Sequence, residues 1–214
     1  MISGHTFLQR REWALLASLM TVVSALTLAE RERLIPLSDL AASPHAVAEA
    51  RVWSLLTSAL LVQSPLFWSL ASFALLGALT IKVCGARLLL ISALAGHVAS
   101  TLVVYALLDL ARTFDPHAFE AALSAPDYGV SAISAAWLGA IASVAWRARD
   151  GVVRDKIATA LAVVATTLFG LIVRRHVSFL DLEHVVAFCI GVVVSVRLSR
   201  TARATRLELR AVRS

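Results

Sequence analysis

The sequence predicts an all-α polytopic membrane protein, a bundle of six transmembrane helices with both termini in the cytoplasm. Three observations predict it. Of the 214 residues, 59% are hydrophobic and only 16% charged, with a mean hydropathy of +0.80, whereas a soluble domain is about half apolar and about a quarter charged. The apolar residues gather into six runs of the order needed to cross a core of about 30 Å, which takes roughly 20 residues of helix. The charges, finally, divide unequally between the two sets of connections. A net charge of +6 on so apolar a chain fits the topology rule for cytoplasmic loops better than a nucleic-acid partner, and no nucleic acid is expected.

The runs span about 13–29, 53–81, 88–110, 128–146, 157–173 and 184–198. The first follows a polar stretch, 1–12, and ends at Glu30-Arg31-Glu32-Arg33 with no small-residue cleavage site before it, so it is expected to be retained rather than removed as a signal peptide. The second is long enough to tilt, or to begin with an interfacial stretch around Gln63-Ser64-Pro65, where proline removes a helix hydrogen bond. The third, fourth and fifth carry no charge at their centres, as lipid requires. The sixth leads into an arginine-rich tail, 199–214. Residues 13–198 thus form one six-helix membrane domain between a cytoplasmic N-terminus and a cytoplasmic tail. Cys84 and Cys189 lie in or at the edge of apolar runs and read as small buried hydrophobes rather than a disulfide.

Orientation follows from charge. Connections on the side of the N-terminus hold fourteen of the 20 basic residues and four of the 14 acids, a net of +10, and the opposite side nets −4. The positive-inside rule places the basic side in the cytoplasm of a multi-pass protein, most simply of the cell membrane. Arginines at 197, 200, 203, 206, 210 and 213 recur at spacings of three and four, which lines one face of a continuing helix and suits anionic lipid headgroups.

Polar groups inside lipid are costly and turn toward protected interiors. Ser131 stands at the outer start of the fourth helix and His184 opens the sixth, so both lie shallowly beneath the same surface; His97 sits deep in the third. A serine hydroxyl becomes a useful nucleophile when an imidazole within hydrogen-bond reach takes its proton. Taken alone, Ser131 also reads as a packing residue, His184 as an interfacial histidine wetted near Asp181 and Glu183, and His97 as a satisfied core histidine. Ser134, Thr57, Ser58, Ser100 and Thr101 read as packing residues.

The surroundings of Ser131 and His184 carry a resemblance. Gly129-Val130-Ser131-Ala132, followed by Ala136 and Gly139, resembles the fourth-helix motif of the rhomboid intramembrane serine proteases, where the nucleophile lies in Gly-x-Ser-Gly with small residues at later turns. His184, followed by Ala187 and Gly191, resembles that family's sixth-helix pattern, in which small residues clear a helix face so that the fourth helix packs closely. Arg51-Val52-Trp53, with Thr57-Ser58, is similar to the family's entry into its second helix, and Gly77 with Gly85-Ala86-Arg87 to that helix's exit. Together these cover roughly residues 51–196.

The resemblance implies a rhomboid-like bundle and a serine endopeptidase acting within the membrane on transmembrane segments of other proteins. Ser131 is the implied nucleophile and His184 its base, with Gly129, Ala132, Ala187 and Gly191 packing the dyad and neither metal nor cofactor. Two departures accompany it. Ala132 replaces the usual glycine after the nucleophile, and residues 61–72 hold no histidine or asparagine where active members place oxyanion donors; Gln63 and the backbone amide of Ser131 are the substitutes. These departures motivate a second reading, an inactive rhomboid-fold protein that binds transmembrane helices of client proteins.

Overall fold

The computed structural model of the protein describes residues 3–62, 65–148, 151–152, 155 and 179–211. The fifth predicted run, 157–173, lies outside the described residues, as do Gln63 and Arg213. In chain order the helices are α1 (Ser3–Arg31), α2 (Leu37–Leu40), α3 (Pro44–Ala48), α4 (Ser54–Thr57) running into a 3-10 turn at Ser58–Leu60, α5 (Leu66–Cys84), α6 (Ala86–Arg112), α7 (Pro116–Ser124), α8 (Ser131–Arg147) and α9 (Phe179–Ala211). No strand occurs among the described residues; a lone antiparallel bridge joins Ala42 to Asp127. Four stretches, Arg10–Arg31, Leu66–Cys84, Ala86–Arg112 and Asp181–Thr201, are long and apolar enough to cross a membrane. Leu75, Leu94 and Val193 on them are exposed, as side chains that face lipid are. The chain is an all-α membrane protein.

The second predicted run is broken rather than continuous. Pro65 caps α5 in an extended conformation, since its ring fixes φ and it has no N–H to donate. The spanning helix therefore begins at Leu66, and the residues before Leu61 form a separate short helical excursion. Val62 N–H donates to Thr27 Oγ1 (3.1 Å), which ties that excursion to α1. Between α5 and α6 the chain reverses on one residue, Gly85, at φ +82°, a conformation that favours glycine. Glu12 Oε1 accepts from Ala86 N–H beside it (3.3 Å).

The helix α8 lies at the centre, packed on α5, α6 and α9. Its 17 residues reach only about 25 Å at 1.5 Å each, and its side chains Ala136, Trp137, Ala140 and Ile141 are fully buried. Trp137 stacks on Phe73 of α5 at 4.8 Å and donates Nε1–H to the Leu89 carbonyl (2.9 Å). That bond satisfies the indole donor in an apolar core. The connection between α6 and α8 contains α7, whose Leu123 and Phe119 pack on Val104 and Leu108 of α6.

Candidate functional site

Ser131 sits where α8 begins, and the turn before it is held by the excursion after α4. Gly129 N–H donates to the Ser58 carbonyl (2.9 Å) and Val130 N–H to that of Leu61 (3.1 Å). Gly129 has φ +136°, and a Cβ there would lie 3.6 Å from Ser131 Oγ. The first helical bond runs from Ser134 N–H to the Val130 carbonyl (3.0 Å), which leaves the N–H groups of Ser131, Ala132 and Ile133 without a carbonyl partner among the described residues. An exposed hydroxyl thus stands beside free backbone donors at the positive end of a helix.

His184 lies on the sixth residue of α9, not at its opening, because the helix starts five residues earlier at Phe179. It is half-buried, and its Nδ1 is buried without a hydrogen-bond partner. The stretch below it explains how it meets α8. Ala187 packs with Ala132 and Ala136. A Cβ on Gly191 would collide with the Ala136 carbonyl, and one on Gly139 with the Phe188 carbonyl. A Cβ on Gly96 of α6 would collide with the Ala136 methyl group. Three helix backbones are in contact here because the residues between them are glycine or alanine.

These contacts fix a parallel register. Ala136 meets Gly191, 55 positions on, and further along the pair Arg147 meets Ser195, 48 positions on, so the contacts advance together on both helices. The 53 positions between Ser131 and His184 fall inside that interval, so the two residues stand at one level on facing helices. No hydrogen bond joins them in this structure.

Behind them lies a layer of polar groups. Glu183 is only 3% exposed, contrary to the expected wet setting of this stretch. Its Oε1 accepts from Thr101 Oγ1 (2.7 Å) and Ser100 Oγ (3.4 Å) of α6, so this serine and threonine are more than packing residues. Asp127 exchanges both backbone bonds with Ala42, and its Oδ2 accepts from Tyr105 Oη (3.1 Å). Burial holds the Asp127 carboxyl above the usual range, opposed by the Tyr105 hydrogen bond. His97, expected to be satisfied, is satisfied on one side only. Its Nε2 bonds Ser58 Oγ (3.2 Å) while Nδ1 has no partner, and through Ser58 it backs the turn at Gly129.

Of the predicted site residues, Ser131, Gly129, Ala132, His184, Ala187 and Gly191 gather at the α8/α9 contact, whereas Gln63 lies outside the described residues. Sequence reasoning missed the carboxylate at 183. The available signal was an acid placed directly before an apolar run, to be set against a Ser-Thr pair near the midpoint of another helix. Among the described residues no group of histidine, cysteine and carboxylate side chains could hold a metal ion. Comparison of the chain with models of protein families, with curated proteins and with solved structures finds no match.

Proposed function

We propose that the protein is a rhomboid-like serine intramembrane protease of the cell membrane. It has six spanning helices, both termini in the cytoplasm, and a site that opens toward the outer face. The observation that supports this best is the register of α8 and α9, which puts Ser131 and His184 at one level on helices joined by Ala132, Ala136, Ala187 and Gly191. A transmembrane segment of a substrate unwinds near the outer face. His184 takes the hydroxyl proton as Ser131 attacks the peptide carbonyl, then gives it to the leaving amine. The developing oxyanion is met by backbone N–H groups at the start of α8, with Gln63 as the side-chain donor. The arginine-rich tail lies on anionic lipid. No cofactor enters the reaction.

Labelling of the purified protein with a fluorophosphonate tests this reading. Wild type is expected to label, Ser131→Ala not at all, and His184→Ala at a rate lower by about 10²–10⁴-fold. Labelling of wild type no greater than that of Ser131→Ala overturns it. Two observations favour a second reading, an inactive scaffold that binds client transmembrane helices: Ser131 and His184 are not hydrogen-bonded, and residues 61–72 lack histidine and asparagine. On that reading, membrane clients co-purify with the protein and still do so with both Ser131→Ala and His184→Ala.

A further inference from the structure

We propose that Glu183 is a positioning residue, one whose hydrogen bonds to Thr101 and Ser100 fix the rotation of α9 and so hold His184 toward Ser131. The inference rests on the protease reading for its catalytic consequence, but its geometric content stands apart from it.

Successive residues of an α-helix project about 100° apart. On that wheel, taking Glu183 as zero, Ala187 falls at about 40°, Gly191 at about 80°, His184 at about 100°, Ser195 at about 120° and Phe188 at about 140°. The observed partners follow the same arc. Glu183 bonds α6 alone, while Ala187 packs with Ala132 and Ala136 of α8, and its carbonyl oxygen lies 3.9 Å from where a Cβ on Gly96 of α6 would stand. Gly191 and Ser195 meet α8, and Phe188 meets it through its backbone carbonyl while its side chain is exposed. His184 therefore lies within the arc facing α8, and Glu183 marks its α6 edge.

Glu183 does not orient the imidazole directly. It is the preceding residue on the same helix, and Nδ1 of His184 has no hydrogen-bond partner. It acts through the helix. Contacts between alanine and glycine are smooth and leave a helix free to turn, whereas a hydrogen bond is directional. A carboxyl buried to 3% exposure is also a costly way to fill space in a membrane protein, where an apolar side chain packs as well. Both donors are themselves fully buried, and the other carboxyl near Glu183, Asp127, is held by Tyr105. The bond from Thr101 is thus specific to Glu183, while Ser100 shares its one hydroxyl proton between Glu183 and the nearer His97 carbonyl (3.1 Å).

The test uses the full chain in detergent with two readouts. The first is the rate of fluorophosphonate labelling. Glu183→Ala is expected to lower its limiting rate by about 10²-fold, the scale of a 1 Å misplacement, with little change in the reagent concentration that gives half that rate. Glu183→Gln, which keeps the acceptor oxygen, is expected to stay within a few fold of wild type. The second readout needs no activity. With Cys84→Ala and Cys189→Ala as background, a Ser131→Cys, His184→Cys pair is oxidised by copper phenanthroline. Disulfide should form readily with Glu183, slowly with Glu183→Ala, and readily again with Glu183→Gln.

An unlabelled wild type whose cross-linking still depends on Glu183 overturns the protease reading and supports this one. A labelled wild type that Glu183→Ala matches in both readouts does the reverse. Glu183→Gln as impaired as Glu183→Ala overturns the inference, because charge and not the acceptor is then what matters. So does a cysteine pair that fails to cross-link with Glu183 in place. Should Glu183→Ala fail to fold, Thr101→Val with Ser100→Ala removes the same bonds from the other side and carries the same expectations.

Discussion

The two ends of the α8/α9 pair are built on opposite terms. At the Arg147 end every guanidinium nitrogen is used: Nε donates to the Ser143 carbonyl (2.8 Å), Nη2 to Ser195 Oγ (2.7 Å) and Nη1 to the Ser195 carbonyl (3.4 Å). A cation at a helix C-terminus, bonded to that helix and to its neighbour, complements the helix dipole and ties two helices together. At the Ser131 end the same two helices present three N–H groups without carbonyls, an exposed hydroxyl and an imidazole nitrogen with no partner. Buried polar groups are ordinarily paired. Where one interface satisfies its polar atoms at one end and leaves them open at the other, the open end is the place for a reacting group, and the closed end supplies the rigidity that keeps it open.

The strongest way to break this contrast is to part the helices between the two ends. A Cβ at Gly139 or Gly191 meets a carbonyl of the facing backbone rather than a flexible side chain. Gly139→Ala or Gly191→Ala is expected to cost roughly 1–3 kcal/mol, and leucine at either place to prevent a stable fold in detergent. Gly151, where a Cβ would meet nothing within 4 Å among the described residues, is the control, with Gly151→Ala expected within about 0.5 kcal/mol of wild type. Thermal unfolding in detergent measures all of these. Equal tolerance at 139, 191 and 151 would mean that α8 and α9 are not in backbone contact.

Arg147→Ala acts on the closed end alone. Hydrogen bonds to charged groups contribute about 1.5–3 kcal/mol, so a loss on that order is expected in thermal stability, with the Ser131 labelling rate within threefold of wild type at 25 °C. Arg147→Lys should recover only part, because an ammonium cannot reproduce the planar fork. A labelling rate that falls along with stability would show that the two ends are one cooperative unit.

Much of this was legible in the sequence, and the misses have physical causes. Periodic apolar length disclosed the spanning helices at α1, α5, α6 and α9, because lipid imposes a minimum that composition must meet. Small residues at 187 and 191 disclosed the α8/α9 contact, because only they let backbones touch. The true start of α5 was half visible at Pro65. Glu183 was misread because local sequence reports polarity and not depth: an acid beside a loop looks wet until Ser100 and Thr101, more than eighty positions away, are placed against it. The bond between His97 and Ser58 was hidden for the same reason, as a pairing of residues 39 positions apart.

The smallest expected effect lies at the open end, in Asp127. Burial raises its pKa in the folded protein above the ordinary unfolded value near 3.9. The folded state therefore binds this proton more tightly than the unfolded chain does. Its contribution to stability is fully present below about pH 4 and is lost as pH rises through the folded value. Asp127→Asn keeps an oxygen to accept from Tyr105 Oη but does not titrate. Between neutral pH and pH 4, wild type should gain thermal stability relative to Asp127→Asn as the solution is acidified, and the variant should be the more stable at neutral pH. Measured against pH on both proteins, carboxylates remote from Asp127 cancel in the difference, and making the same comparison in a Glu183→Gln background removes the one that feels the Asp127 charge. A difference that is flat, or that runs the other way, would place the Asp127 carboxyl in water and remove it from the buried layer behind Ser131.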